Sequence, residues 1–374
     1  MRFDVADIAA ATAPLSSAKS MPAGFYTSPE VFALEREHLF MRHWLFLCRE
    51  EMLAEPGAYR AFDTAGGPVI LVRGKDGVLR AFANYCRHRG SVLLEGEGTC
   101  RRIICPYHAW SFMLDGSLWG CPDMQDAEGF DRVEYGLVPV RMETWNGFVF
   151  ISFDDDAPAL IDHLGDLPER MASHRLDRMR CTWRIDIDVR ANWKLLLENA
   201  METYHTGIVH KATVGKQSSR TLETRGEWLC IQVISGRSIA TLGDATPPFD
   251  PIEGLDDDAR RGTYFTVIHP TCQFAVAQDC MWWLNVYPLA HDRSVLEIGG
   301  CFPEDRLDDP DFEAKAAPYY HRWEAVGRED VAILEKQQYA LGSAIYRPGP
   351  LSWRDDEVQN LAMWVLDHLP DLTG

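Results

Sequence analysis

Two short stretches bring cysteine and histidine together, CRHRG at 86–90 and CPYHAW at 105–110, so that C-x-H is followed 16 residues later by C-x-x-H. Cys86, His88, Cys105 and His108 offer two thiolates and two imidazoles on tight loops. Such donors suit a tetrahedral metal or an iron–sulfur centre, whose ligands must converge at about 2 Å. Structural zinc sites favour C-x₂₋₄-C and H-x₃₋₅-H pairs, whereas mixed Cys/His pairs let one iron take both sulfurs and the other both nitrogens. The mixed spacing therefore points to a Rieske-type [2Fe–2S] cluster, with zinc and two unrelated core pairs as the competing explanations. A second stretch, NWKLLLENAMETYHTGIVH at 192–210, holds Glu202, His205 and His210. Residues five apart on a regular helix lie about 140° off a shared face, so the two histidines need a distortion to meet one ion. Gly207 offers one near 206–208. Glu202, three residues before His205, falls on its face. Two histidines and one carboxylate would form a facial triad for Fe(II), leaving positions open for O₂ and substrate, and the carboxylate must come from elsewhere in the chain.

These residues need a scaffold, and the chain can supply one. With 374 residues, 46% hydrophobic and 25% charged, it has the length and balance of a globular chain of about two domains;. Its net charge of −19 repels a phosphate backbone, which argues against nucleic acid as a partner;. No run of about 20 apolar residues is present to span a bilayer. The first residues, MRFDVADIAAATAPLSSAKS, carry acids and lack a signal-peptide core, so a cytoplasmic protein without membrane partners is expected;. Ten cysteines over this length are too dilute for a disulfide framework and should be mostly free thiols;.

Residues 26–47 open with Thr27-Ser28-Pro29-Glu30, a capping pattern, and continue at helical spacing;. From about 57 to 155, short apolar runs separated by Gly, Asp and Asn predict a small all-β unit. Asp154-Asp155-Asp156 breaks the pattern. Residues 183–190 alternate as a strand that runs into the helix carrying His205, 226–302 reads as further strands, and the segment from 310 is helical. A polar stretch at 243–260 reads as a loop. The fold class is therefore α+β, with an antiparallel sheet and helices in the second domain. The expected domains are an N-terminal helical segment at 1–45, a β domain at 46–155 and a second domain at 156–374.

The C-x-H-x₁₆-C-x-x-H motif resembles the Rieske domain of ring-hydroxylating oxygenases, and N-W-K-x-x-x-E-N-x-x-E-x-Y-H-x-x-x-x-H resembles the catalytic domain of the same family. The resemblance implies an alpha (terminal oxygenase) subunit with a helix-grip-like catalytic domain. It places Cys86 and Cys105 on the inner iron of the cluster, His88 and His108 on the outer one, and His205 and His210 on a mononuclear Fe(II). The family draws its carboxylate from a pattern like E-D-x-x-x-x-E-x-x-Q. Here Glu329-Asp330 through Gln338 fits it and Asp330 becomes the third ligand; an ordinary helix-start acid is the competing explanation and would suit Glu329 equally. Glu202 would bridge His205 to His108 of a neighbouring subunit, and Trp193, Asn199 and Tyr204 would support or pack around the ligands.

The resemblance also implies O₂ as co-substrate, electrons from NAD(P)H through a separate reductase or ferredoxin, and insertion of one oxygen atom or two. No G-x-G-x-x-G fingerprint follows a strand in this chain, in keeping with a separate reductase. The resemblance implies a ring of three subunits, which would suit His108 and His205 of one chain standing too far apart if the domains lie side by side. An aromatic or similarly sized ring compound is the expected substrate. The alternative is N-demethylation or hydroxylation of a quaternary ammonium compound, which would use aromatic faces such as Trp282, Trp283, Tyr287 and Phe274. Trp282 and Trp283 cannot both face inward from a regular strand. A Rieske electron carrier and a zinc-binding structural protein are the non-oxygenase alternatives.

Overall fold

The computed structural model describes residues 3–243 and 246–373, and Met1, Arg2, Asp244, Ala245 and Gly374 lie outside the described residues. Part of the predicted loop at 243–260 thus falls outside them. Two compact units emerge: Phe46–Ala157, and Met1–Leu45 together with Pro158–Gly374. None of the ten cysteines forms a disulfide. Among the described residues no helix is long and apolar enough to cross a membrane.

The smaller unit is built of short antiparallel strands in three sheets. Its central strand, Gly67–Arg73, carries the run Val69-Ile70-Leu71-Val72, which is wholly buried. Burial on both faces suits such a continuous apolar run. A core of Ile70, Phe82, Ile103, Trp110 and Phe112 includes both Cys86 and Cys105. The β texture starts earlier than predicted. Leu45–Arg49 is a strand beside Phe148–Ser152, so the helix expected over 26–47 ends sooner. Leu45, Phe46, Leu47 and Cys48 are all buried, and a short apolar run of this kind cannot be assigned to helix or strand by period alone;.

The capping pattern itself forms as expected. Ser28 Oγ accepts the Val31 N–H at 3.2 Å, Pro29 occupies the first turn, and the helix Pro29–Glu35 runs into a looser turn ending at Phe40;. This segment serves the larger unit. Glu35, fully buried, accepts the Trp193 indole N–H at 2.8 Å and pairs with Lys194. Removing either member of that buried ion pair would strand the other charge, at about 3–5 kcal/mol. Asn192 caps the helix Trp193–Ala200 by accepting the Lys194 N–H, while its amide donates to the carbonyls of Tyr26 and His291. The Asn-Trp-Lys signature is therefore an anchoring device for the stretch that leads to His205.

The larger unit carries a seven-stranded antiparallel sheet. Its spatial order is Met179–Val189, Arg293–Pro303, Met281–Ala290, Cys272–Val276, Gly262–Ile268, Trp228–Ile234 and Ser219–Thr221. The 30-residue helix Phe312–Leu341 packs across it, followed by Asp356–His368. The α+β expectation is met. Two adjacent glycines in the Arg293–Pro303 strand make room on opposite faces. A side chain on Gly299 would strike the Trp283 ring at 2.0 Å, and one on Gly300 would strike the Trp323 ring of the long helix at 1.9 Å. Trp282 and Trp283, their cross-strand partners, accordingly face opposite ways;.

Candidate metal centres and their cavity

In the smaller unit, two loops repeat one backbone pattern. Gly90 N–H bonds Cys86 O at 2.9 Å and Cys86 N–H bonds Ser91 O at 2.8 Å. The second loop matches it: Ala109 N–H bonds Cys105 O at 3.2 Å and Cys105 N–H bonds Trp110 O at 2.7 Å. Each loop closes on a left-handed residue, Gly90 at φ +77° and Ala109 at φ +58°;. The closed loop turns two backbone N–H groups onto each sulfur, from His88 and Arg89 on Cys86 and from Tyr107 and His108 on Cys105. Burial works against the Cys105 thiolate, but these donors outweigh it and lower its pKa;.

The sulfurs lie buried beside one another, while the imidazoles sit further out, with His88 and His108 ring centroids 4.8 Å apart. His88 stacks flat on the Trp110 indole at 5.1 Å, and its buried Nδ1 has no hydrogen-bond partner. His108 is exposed. Sulfur pairs with sulfur and imidazole with imidazole, which is the separation two metal atoms require and one zinc ion does not. The donor set therefore fits a [2Fe–2S] cluster.

In the larger unit the sequence expectation needs one correction. The helix Trp193–Ala200 stops before Met201, residues 201–205 form an irregular turn, and only Thr206–Val209 is helical again. The break therefore precedes His205, and Gly207 sits inside a regular turn, where an added Cβ would make only an ordinary contact with Lys216 at 3.4 Å. His205 and His210 bracket that single turn. Their Nε2 atoms stand 3.2 Å apart.

Asp330 Oδ1 completes the group, 2.9 Å from His210 Nε2 and 3.6 Å from His205 Nε2. Ligands held at about 2.1 Å on adjacent positions of one ion are about 3 Å from each other, so the trio fits a mononuclear centre. Asp330 Oδ1 is buried with no conventional hydrogen-bond partner, as expected of an atom reserved for a metal;. Asp330 lies deep within the Phe312–Leu341 helix and not near its start, so a helix-dipole account of this acid does not apply;. The rest of its motif fixes the helix register. Glu335 accepts the Arg190 N–H at 3.0 Å and pairs with the Arg190 guanidinium at 2.9 Å, and Gln338 accepts the Asn192 N–H at 2.9 Å.

Behind each histidine stands a carboxylate. His205 Nδ1 meets Glu202 Oε1 at 2.5 Å, and His210 Nδ1 meets Glu329 Oε2 at 2.7 Å. Such partners set the tautomer, leave Nε2 for the metal and raise its basicity. Glu202 reaches His205 through the irregular turn and not from a shared helix face, and it also accepts the backbone N–H groups of Tyr204 and His205. In the sequence Glu329 stands out only as a helix-start acid. Its link to His210 and to Thr213 Oγ1 at 2.8 Å depends on a contact 119 residues away in sequence. Trp193 packs in the core as expected and Asn199 lines the cavity, whereas Tyr204 is 62% exposed. A second trio, His43, Glu227 and His368, also converges, but Glu227 is engaged by the Trp364 indole at 2.6 Å.

A cavity partly open to solvent ends on the Asp330 trio. Aliphatic walls from Leu196, Val214, Leu284 and Ile298 are joined by Phe265, Trp282, Trp323 and the guanidinium of Arg322. Of the four aromatic residues expected to line it, only Trp282 does. Phe265 and Trp323 were missed, the first because strand alternation gives no choice of face without the sheet, the second because it arrives on a distant helix.

Comparison with known proteins places these features. Residues 43–135 match the Rieske [2Fe-2S] domain and residues 176–371 match the catalytic domain of the ring-hydroxylating alpha subunit. The carnitine monooxygenase oxygenase subunit of Escherichia coli K12 is 39% identical over 336 residues, 88% of this chain and 86% of that protein. That of Acinetobacter pittii is 39% identical over 194 residues, so the match spans about half of each, 51% of this chain and 52% of that protein. A solved quaternary ammonium Rieske monooxygenase, described in terms of carnitine oxidation and inter-subunit electron transfer, superposes with a TM-score of 0.83 at 27% identity over 99% of this chain and 100% of that one. By its two matched domains and its similarity along most of its length, the chain belongs to the Rieske non-haem iron oxygenases, as an alpha subunit of the ring-hydroxylating family.

Proposed function

We propose that this chain is the terminal oxygenase of a monooxygenase acting on a quaternary ammonium compound, with electrons supplied from NAD(P)H by a separate reductase. The carrying observation is that its 39% identity to a carnitine monooxygenase oxygenase subunit extends over most of both chains. The comparisons thus favour the alternative substrate class over the aromatic ring compound expected first. The cavity is compatible with it, since Phe265 and Trp323 add aromatic rings to its wall, groups of the kind that attract a methylated cation;.

In this reading Cys86 and Cys105 hold the inner iron of the cluster and His88 and His108 the outer one, within a Rieske domain near 46–155. His205, His210 and Asp330 hold the mononuclear iron of the 156–374 domain, on which the 1–45 segment packs. An iron(II) at that trio supplies open positions for O₂, and the cluster supplies electrons one at a time. Glu202 and Glu329 orient the two imidazoles, the aliphatic walls exclude water, and the cavity presents a substrate C–H bond to the trio. Glu202 is also the group we assign to carry electrons from His108 of a neighbouring subunit in a homotrimer. Beside it Tyr204 and Ile208 are 62% and 82% exposed, apolar surface of the sort a partner covers;.

The test is turnover. Anaerobically purified protein should hold about three iron and two sulfide per chain. With a reductase and NADH it should consume O₂ and release a hydroxylated or N-demethylated product from γ-butyrobetaine. Oxidation of an aromatic hydrocarbon with no reaction on γ-butyrobetaine would return the assignment to a ring substrate.

A further inference from the structure

One charge in the catalytic cavity belongs to neither candidate metal centre. Arg322 is 4% exposed and lines the same cavity as the Asp330 trio. Among the described residues its guanidinium makes no hydrogen bond or ion pair, and Nε is buried without a partner. Its one close partner is the Trp282 indole, over which Cζ lies 4.7 Å from the ring centroid. Burial lowers its pKa to about 10, against the opposing charges of Asp330, Cys280 and Glu329, none of which it contacts directly, and this leaves it charged at neutral pH. An unpaired buried guanidinium is costly, and such a group persists where a ligand brings the counter-charge.

Its position relative to the trio suggests what that ligand is. Arg322 precedes Asp330 by eight residues on one helix, which separates their Cα atoms by about 12 Å along the axis. Gly327 lies between them and is packed closely by Ile298, whose Cδ1 a side chain there would meet at 2.6 Å. The carboxylates lining the cavity, Glu202 and Asp330, are both at the metal end, and the remaining walls are mostly aliphatic.

Building on the quaternary ammonium reading above, we propose that Arg322 anchors a substrate carboxylate, so that the enzyme selects a zwitterion with a methylated ammonium at one end and a carboxylate at the other. The planar guanidinium grips a carboxylate through two parallel hydrogen bonds, fixing the substrate along the helix. A cation lacking the anionic arm would meet a fixed positive charge and be rejected.

The experiment compares γ-butyrobetaine with its 4-hydroxybutyl-trimethylammonium counterpart on the iron-loaded enzyme with reductase. Wild type should prefer the carboxylate by at least about 100-fold in kcat/KM, since a site built to pair a polar group discriminates strongly against its absence. R322Q should collapse the preference, mainly through KM for γ-butyrobetaine, with iron content and cluster spectrum retained. R322K, which keeps the charge but not the fork, should restore part of it. Equal use of both compounds by wild type overturns the proposal. So does loss of iron in R322Q with the preference ratio unchanged, which would make Arg322 a counter-charge to Asp330. If neither ammonium compound reacts, the quaternary ammonium reading has failed, and the anchor is judged by binding of benzoate against benzyl alcohol. An Arg322-dependent preference for benzoate upholds the anchor, and its absence overturns it.

Discussion

The two candidate metal centres handle their histidines in opposite ways. In the smaller unit, among the described residues, no carboxylate hydrogen-bonds His88 or His108; one stacks on Trp110 with an unpartnered Nδ1 and the other faces solvent. In the larger unit each imidazole is backed by its own acid, Glu202 on His205 and Glu329 on His210, within a mostly apolar cavity. The difference follows from the work each set of ligands would do. A bare, accessible imidazole is free to meet a group from outside the unit. A backed and buried imidazole is fixed in tautomer and direction, as needed where substrate and O₂ must meet a defined face of a metal.

The sharpest way to break this comparison is to remove one metal and leave the other. Asp330→Ala should abolish turnover and mononuclear iron binding while the visible and EPR spectra of the cluster persist. Loss of both signals would mean the centres are not independent. The converse, Cys105→Ser, should erase the cluster spectrum while about one iron per chain still binds at the trio, as metal analysis would read. Glu202→Gln should retain both centres yet lower coupled turnover by about 100-fold, and single-turnover reduction of the mononuclear site would show electron transfer as the step affected. If Glu202 serves only to orient His205, the loss will instead appear in iron affinity. Glu329→Gln should weaken iron binding by about 10-fold to 100-fold with the transfer step intact, which separates the two acids. The smallest effect is expected of Gly327→Ala. Its Cβ would press on Ile298 Cδ1, costing about 1–3 kcal/mol in thermal unfolding and narrowing the cavity without touching either centre;.

Both Cys/His loops and both histidines of the candidate trio are legible in the sequence because each rests on neighbours in the chain. The 86–91 and 105–110 loops are closed by hydrogen bonds across four and five residues, and His205 and His210 flank one helical turn. Local chemistry of that kind writes a compact motif. Position along an element was less legible. The apolar run at 45–47 reads as helix because burial on all sides hides the period, and the sequence places the irregular turn at Gly207 although the chain turns earlier, at 201–205, where Glu202 accepts backbone N–H groups;.

What the sequence alone determined is thus the kind of chemistry, the α+β class and most of the donor atoms. The tertiary structure decided which side chains share a space. It set Glu329 on His210, closed the long helix onto Asn192 and Arg190, turned Trp282 inward and Trp283 away, and left Arg322 alone in the cavity. Each of these is a contact between residues far apart in the chain or a choice of sheet face. Helical and strand periods specify such faces only up to the partner that covers them, and that partner exists only once the chain has packed.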